Sequence, residues 1–366
     1  MQSKLWFLYG NDRELALDEL ERIIRDNIVD VETRLKIISI LTYIGAYDNC
    51  EYWLKKFNGH EHIIGQQSWY RIYRFKKQQN PWKGLLGENT KNQIDEIITS
   101  YLKNNQIITI DLVGGIGDQI ENAALIWASI QKLNRSELIK IKPNGENSMI
   151  VDKFLEEVAG FPLSSKKTEA NHLRVSAPWF RHWLGEKKLE KAPIRLINEN
   201  KPEVIKPLLI LICWRCKIDI NNPLSSFSRS VPFRRILAIY KDWESSIQNK
   251  KIGIIDISEY REEEHIALNK LYPWVKLYRN RIKSLRDTRQ FIGKSHQIIT
   301  VDTSLVHLCA AIGRDVSLIL NKYPDERWCD LLSERGSYKD HVKVFQQTKF
   351  HDWEAPIRKL NDHLGL

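Results

Sequence analysis

Three stretches of this chain carry residue types whose spacing could support chemistry. In residues 297–320, QIITVDTSLVHLCAAIGRDVSLIL, an apolar run (Ile298, Ile299, Val301) is followed by Leu305, Leu308, Cys309 and Ile312. These last four fall at i, i+3, i+4 and i+7, which predicts a buried strand passing within two residues into an amphipathic helix. Asp302, Thr303 and Ser304 occupy the turn between them. There the uncapped N–H groups and the positive end of the helix dipole suit a phosphate. His307 lies one turn into the helix and off the apolar stripe, so it either points at the same ligand or belongs to a solvated face.

The second stretch is QIITIDLVGGIGDQIENAALIWASIQ at residues 106–131. Its apolar start predicts a buried strand, and Gly114, Gly115 and Gly117 precede a helix with Ile120, Ala123, Ala124 and Trp127 on one face. Small glycines let backbone come close to a ligand, but no third glycine stands three residues beyond Gly117, so this is not a dinucleotide fingerprint. Asp118 falls in the first helical turn, where the dipole stabilises a carboxylate that would itself repel phosphate. A general base is the natural use. It has no Lys or Arg in the next few residues to neutralise it, although an acidic residue at a helix start is also ordinary capping chemistry. The third stretch is the C-x-x-C of Cys213 and Cys216. A zinc or redox site would need further ligands at finger spacing, and none is present.

The elements that must position these residues are read from periodicity. Strands are predicted at ELIKIK, HLRVSAP, PLLILICW, IGIIDIS, WVKLY, QIITV and VSLIL, with helices at about 149–158, 232–243, 263–271, 285–292 and 304–312. Strands alternating with helices of this length predict a parallel sheet covered on both faces. Polar turns at strand carboxyl ends are where open α/β sheets bind ligands. The first 80 residues read as helices with a 34-residue repeat that sets Ala16 against Cys50, Leu20 against Leu54 and Ile23 against Phe57, the tetratricopeptide period. Only about one and a half repeats are visible, which predicts that this segment docks on the domain next in the chain. The organisation expected is 1–80 helical tetratricopeptide-like segment, 81–105 linker with NPWKGLLGENTKN at its core, 106–200 first Rossmann-like domain, and 201–366 second Rossmann-like domain.

The chain has 366 residues, 42% of them hydrophobic, and a formal net charge of +10, with a pI of about 9.2. That balance favours anionic company such as nucleotides, phosphorylated glycans, an acidic membrane surface or nucleic acid. No RRM, KH or zinc-finger signature supports the last of these. No run reaches the ~18 apolar residues of a membrane span, and the N-terminus turns charged too early for a secretory signal. The five scattered cysteines are no secreted disulfide framework. A cytoplasmic location, with contact at the inner membrane face open, is the expectation.

VDTSLVHLCAAIG resembles the VDTxxxHLAxAxG signature of heptosyltransferase-like GT-B glycosyltransferases (glycosyltransferase family 9), especially relatives with N-terminal tetratricopeptide repeats. WRCKIDIN with SRSVP, DERWCDLL, the closing HDWEAPIRKLNDHL and GGIGDQIENAA also resemble segments of that family. Together they cover most of 107–366. The resemblance implies a GT-B α/β fold, two Rossmann-like domains facing a cleft, after a small all-α segment. It further implies metal-independent sugar transfer from a nucleotide-diphosphate donor to a glycan, lipid-linked glycan or protein acceptor. No cofactor is implied beyond the nucleotide-sugar donor. Asp118 then matches the catalytic base, and Arg215, Lys217, Asp302, Thr303, Ser304 and His307 the donor site. Gly115, Gly117, Gln119 and Arg229 belong to the adjoining donor or acceptor loops. Cys216 and Cys309 depart from the family's usual Gly and Ala. The competing readings are a non-catalytic nucleotide-sugar or glycan-binding relative, and a tetratricopeptide scaffold that recruits a protein partner or binds nucleic acid.

Overall fold

Apolar runs become buried strands here because both faces of each sheet are covered by helices. The computed structural model describes residues 13–25, 30–43, 46–57, 72, 88–131, 136–145, 148–159, 172–184, 196, 202, 208–217, 228–250, 252–325, 327–328, 338, 340–349 and 351–366. The N-terminal helices α1 (Arg13–Arg25), α2 (Val31–Tyr43) and α3 (Tyr47–Lys56) pack on a common core. That core contains Leu20, Ile24, Ile38, Leu41, Cys50 and Leu54. The Cys50 thiol lies 3.4 Å from the Ile38 carbonyl, so a small residue does stand where these helices approach closely. The repeat partners Leu20 and Leu54 are both buried, at 2% and 0% exposure.

Residues 88–103, expected to be linker, form helix α4 (Glu88–Lys103). Beyond the Pro and Gly of residues 81–87 the sequence regains helical periodicity. Ile98 is fully buried, and the Thr99 hydroxyl accepts from the Trp183 indole at 3.2 Å.

The first sheet joins β1 (Ile108–Leu112), β2 (Ile139–Pro143) and β3 (Leu173–Ser176) in the order β2-β1-β3, all parallel. Ile108, Ile110 and Leu112 are fully buried on β1, each contributing about 1.5–3 kcal/mol by burial. Between the strands run α5 (Ile116–Ile130) and α6 (Ser148–Ala159), and α7 (Ala177–Leu184) comes after β3. Sequence periodicity passed over α7, whose eight residues give it little more than two turns.

The second sheet has six parallel strands: β4 (Leu208–Cys213), β5 (Ile252–Asp256), β6 (Val275–Leu277), β7 (Gln297–Val301), β8 (Val316–Leu320) and β9 (Val342–Gln346). Their order is β6-β5-β4-β7-β8-β9. The chain winds outward from β4 to one edge, returns beside β4 and winds to the other edge. That is the doubly wound Rossmann order, with its switch point between β4 and β7, where ligands of such sheets bind. Helices α8 (Phe233–Lys250), α9 (Glu262–Leu271), α10 (Leu285–Lys294), α11 (Ser304–Ala311) and α12 (Glu354–Leu364) cover it. On α8 the buried set Ile236, Ile239, Tyr240, Trp243 and Ile247 has helical spacing.

The two α/β units meet through helices. Helix α5 packs along α11, and α6 touches α10. One apolar cluster runs through both, from Ile110 and Ala124 to Leu305 and Leu308.

Candidate functional site at the seam between the two sheets

The residues after β4 and β7 flank the switch point, and a buried polar network fixes the first of these segments. The Asp256 carboxylate, 1% exposed, accepts from the Tyr240 hydroxyl at 2.6 Å, the Tyr260 hydroxyl at 2.7 Å and the Ser258 N–H at 2.8 Å. Burial raises its pKa, and these hydrogen bonds oppose the rise. The Ser258 hydroxyl in turn accepts from the Trp214 N–H at 2.7 Å. The backbone entering residues 214–217 is thereby tied to the end of β5.

Arg215 is not turned loose toward a ligand. Its guanidinium meets Glu264 at 2.5 Å with 11% of the side chain exposed and lies over the Tyr260 ring, 5.7 Å from its centroid. Lys217 is exposed. Arg229 donates to the Asp302 carbonyl at 2.9 Å, bracing the turn after β7 from the segment beyond β4. Burial, and after it the Asp256 carboxylate, push the Cys213 thiol up to about 12. Such a thiol is inert, so nothing here supports the redox reading of the C-x-x-C.

At the turn itself Thr303 is the N-cap of α11, its hydroxyl accepting from the Leu305 N–H at 3.2 Å. That hydroxyl lies 3.0 Å from the Thr300 hydroxyl. Ser304 is half-buried at the first helical position, and Asp302 is 6% exposed. His307, which could have belonged to a solvated face, is 3% exposed. The polar side of α11 is covered by α5 across the seam. The His307 Nδ1 lies 2.5 Å from the Tyr338 hydroxyl, and its ring packs 5.5 Å from that of Trp328. Burial first, then the charge of Arg327, lowers the His307 pKa to about 4, so the imidazole is neutral at pH 7.

On the facing unit, Gly114 has φ +93°, a conformation side chains resist, and it leads the chain into α5. A Cβ on Gly117 would lie 2.5 Å from His307 Cδ2. The backbone there approaches the second unit, in place of the ligand contact expected from the sequence. Gln119 is buried. Its amide donates to the Gly114 carbonyl at 3.1 Å and the Asn144 carbonyl at 2.9 Å, so it clamps the loop.

Asp118 faces the seam with 36% of its side chain exposed. One oxygen, Oδ2, accepts from the Gly115 N–H at 2.8 Å. The other, Oδ1, accepts from Arg327 at 2.5 Å across the seam. Sequence spacing left this carboxylate without a nearby cation, but Arg327, 209 residues further on, supplies one. Burial is the largest single influence and works to raise its pKa, but the charge and hydrogen bond of Arg327 together with His307 outweigh it and hold the carboxyl below the usual carboxylate value. Arg327 also meets Glu121 at 2.6 Å and Asp325 at 2.8 Å. Three carboxylates around one guanidinium leave this part of the seam acidic.

Sequence reasoning did not assign Glu121, Arg327 or Tyr338. The only signal was the likeness of DERWCDLL to the family pattern, which gave no role. Its residues 326 and 329–332, Cys329 included, lie outside those described, as do residues 218–221 of WRCKIDIN. Among the described residues no set of His, Cys, Asp or Glu is arranged to hold a metal ion. Among them, too, no helix is long and apolar enough to cross a membrane.

No family model matches the chain, and no curated protein matches it. Among solved structures it is similar to the E. coli heptosyltransferase WaaC with ADP-2-deoxy-2-fluoro heptose, at 9% identity and TM-score 0.41, over 71% of this chain and 100% of that one. It is similar also to the E. coli ADP-heptose lps heptosyltransferase II, at 10% identity and TM-score 0.43, over 71% and 98%. WaaC with ADP gives 10%, 0.43, 71% and 100%. These are heptosyltransferases, the class that VDTSLVHLCAAIG resembles. The α/β fold rests on the strand order itself.

Proposed function

We propose that this chain is a nucleotide-sugar-dependent glycosyltransferase of the GT-B type, with its donor on the second sheet and its acceptor over the start of α5. The supporting observation is that the carboxyl ends of β6, β5, β4 and β7 line up beside the seam that holds Asp118. A cleft of about 430 Å³ opens at the β5 and β6 ends, lined by Ser258, Glu259, Tyr260, His265, Arg279 and Asn280 among others. Neighbouring strands lie about 4.8 Å apart, so β6 to β7 spans about 14 Å, the reach of an extended nucleoside diphosphate. The nucleoside fits the cleft, the diphosphate the α11 N-terminus at Thr303 and Ser304, and the sugar the seam.

In this reading the acceptor hydroxyl oxygen attacks the anomeric carbon as the bond to the diphosphate oxygen breaks. Asp118 takes the hydroxyl proton. The charge developing on the leaving diphosphate is met by the helix N-terminus, Lys217 and Arg229, which is where fixed dipoles and cations lower a barrier. A metal ion is not required for that balance. The acceptor in this reading is a glycan, a lipid-linked glycan or a protein. A non-catalytic nucleotide-sugar binder is the second reading, favoured by one observation: both Asp118 oxygens are already engaged. A thermal-shift screen of nucleoside diphosphates and their sugars tests the site common to both readings. A ligand at 100 times its dissociation constant adds about 2.7 kcal/mol, and no shift with any nucleotide would overturn the donor assignment.

A further inference from the structure

Arg327 stands apart from the donor residues, and its surroundings give it a definite task. It projects from the loop after β8, on the second unit, into the mouth of α5 on the first. Its Nε is held by Asp325 at 2.8 Å and one terminal nitrogen by Glu121 at 2.6 Å, which leaves the other terminal nitrogen aimed at Asp118 Oδ1 at 2.5 Å. A guanidinium is planar, so two fixed corners fix the third. Only 21% of the side chain is exposed. The opposite carboxylate oxygen is pinned by the Gly115 N–H. With one oxygen held from each side, the carboxyl plane is kept from turning.

The loop is itself anchored. Tyr323, four residues before Arg327, packs on the core of the N-terminal helices and meets Tyr47 edge to face at 6.5 Å. The N-terminal helices, the loop and the carboxylate therefore form one connected chain of contacts.

Resting on the glycosyl-transfer reading, we infer that Arg327 is a positioning residue for the reaction: it orients the Asp118 carboxylate toward the acceptor. Among the described residues, the charged and titratable groups acting on Asp118 include Arg327 and Asp325 from the loop and His307 from α11; Glu121 from α5 shares Arg327 with it, and Asp302 and Tyr338 lie beside His307. With His307 neutral, Arg327 is the cation bonded to Asp118, while Arg229 meets Asp302 and Arg181 acts on Tyr338.

The test compares wild type with Arg327→Gln and Arg327→Lys. The Asp118 carboxyl titration is followed by carbon NMR, assigned by difference from Asp118→Asn, and turnover of whichever nucleotide sugar stabilises the wild type is measured across pH. In Arg327→Gln the Asp118 midpoint is expected to rise by about one pH unit or more, because the largest of the effects that oppose burial is then gone. The acid limb of kcat/KM should rise with it. Turnover at pH 7 should fall about tenfold or more with the donor KM unchanged, and Arg327→Lys should restore part of both effects. An unchanged midpoint, or turnover that falls only in step with melting temperature and is not rescued by Lys, overturns the inference. Failure of the underlying reading looks different: the midpoint moves, but no nucleotide sugar is turned over by the wild type, which removes Arg327 from any role in transfer.

Discussion

His307 shows how one side chain changes meaning between sequence and fold. Off the stripe of its own helix, it was open to either a ligand or solvent, and neither signal foretold that a second helix would cover it. Because its pKa falls from 6.5 to about 4, the unfolded chain takes up a proton between those values while the folded chain does not. Its stabilising effect is therefore complete above pH 6.5 and is lost as pH falls toward 4, on the order of 3 kcal/mol in all. Asp118, lowered instead, loses its contribution only below about 3.8. Melting temperature measured from pH 7.5 to 4.5 should decline in the wild type and more gently in His307→Asn. Parallel curves would show that burial leaves this imidazole unshifted.

At the scale of elements, the turns that lead from β1 into α5 and from β7 into α11 do the positioning. Gly117 is the contact that lets the two helix starts meet. Gly117→Ala sets a methyl 2.5 Å from His307 Cδ2. Overpacking of this kind costs about 1–3 kcal/mol, so a lower melting temperature and weaker nucleotide binding are expected together. A variant that keeps both would mean that the helices approach less closely. The second sheet was legible because parallel strands buried on both faces read as unbroken apolar runs, as VSLIL and QIITV do. Strand β9 was not, since VKVFQ is an edge strand with Lys343 exposed. Helix α4 was hidden by the Pro and Gly just before it.

At the scale of the whole molecule, the candidate site is assembled from segments far apart in sequence. Asp302, Thr303 and Ser304 could be found because a strand, a polar turn and a helix stand directly one after another. Arg327 could not, since its partners Asp118 and Glu121 lie more than 200 residues away and belong to the other sheet. Likewise the sequence offers Arg215 as a free cation, while the fold commits it to Glu264. The strand order unites these parts, because it places the β4–β7 switch point beside the helix that carries Asp118.

The central claim is that this seam transfers a sugar with Asp118 as base. It is tested most directly by quantifying nucleoside diphosphate released from a panel of nucleotide sugars, with a chelator present, by the wild type and by Asp118→Asn. Release by the wild type that falls about 100-fold or more in the variant, with nucleotide affinity and melting temperature nearly unchanged, is the predicted result. Equal release by both proteins, or release by the wild type only after magnesium or manganese is restored, would contradict it.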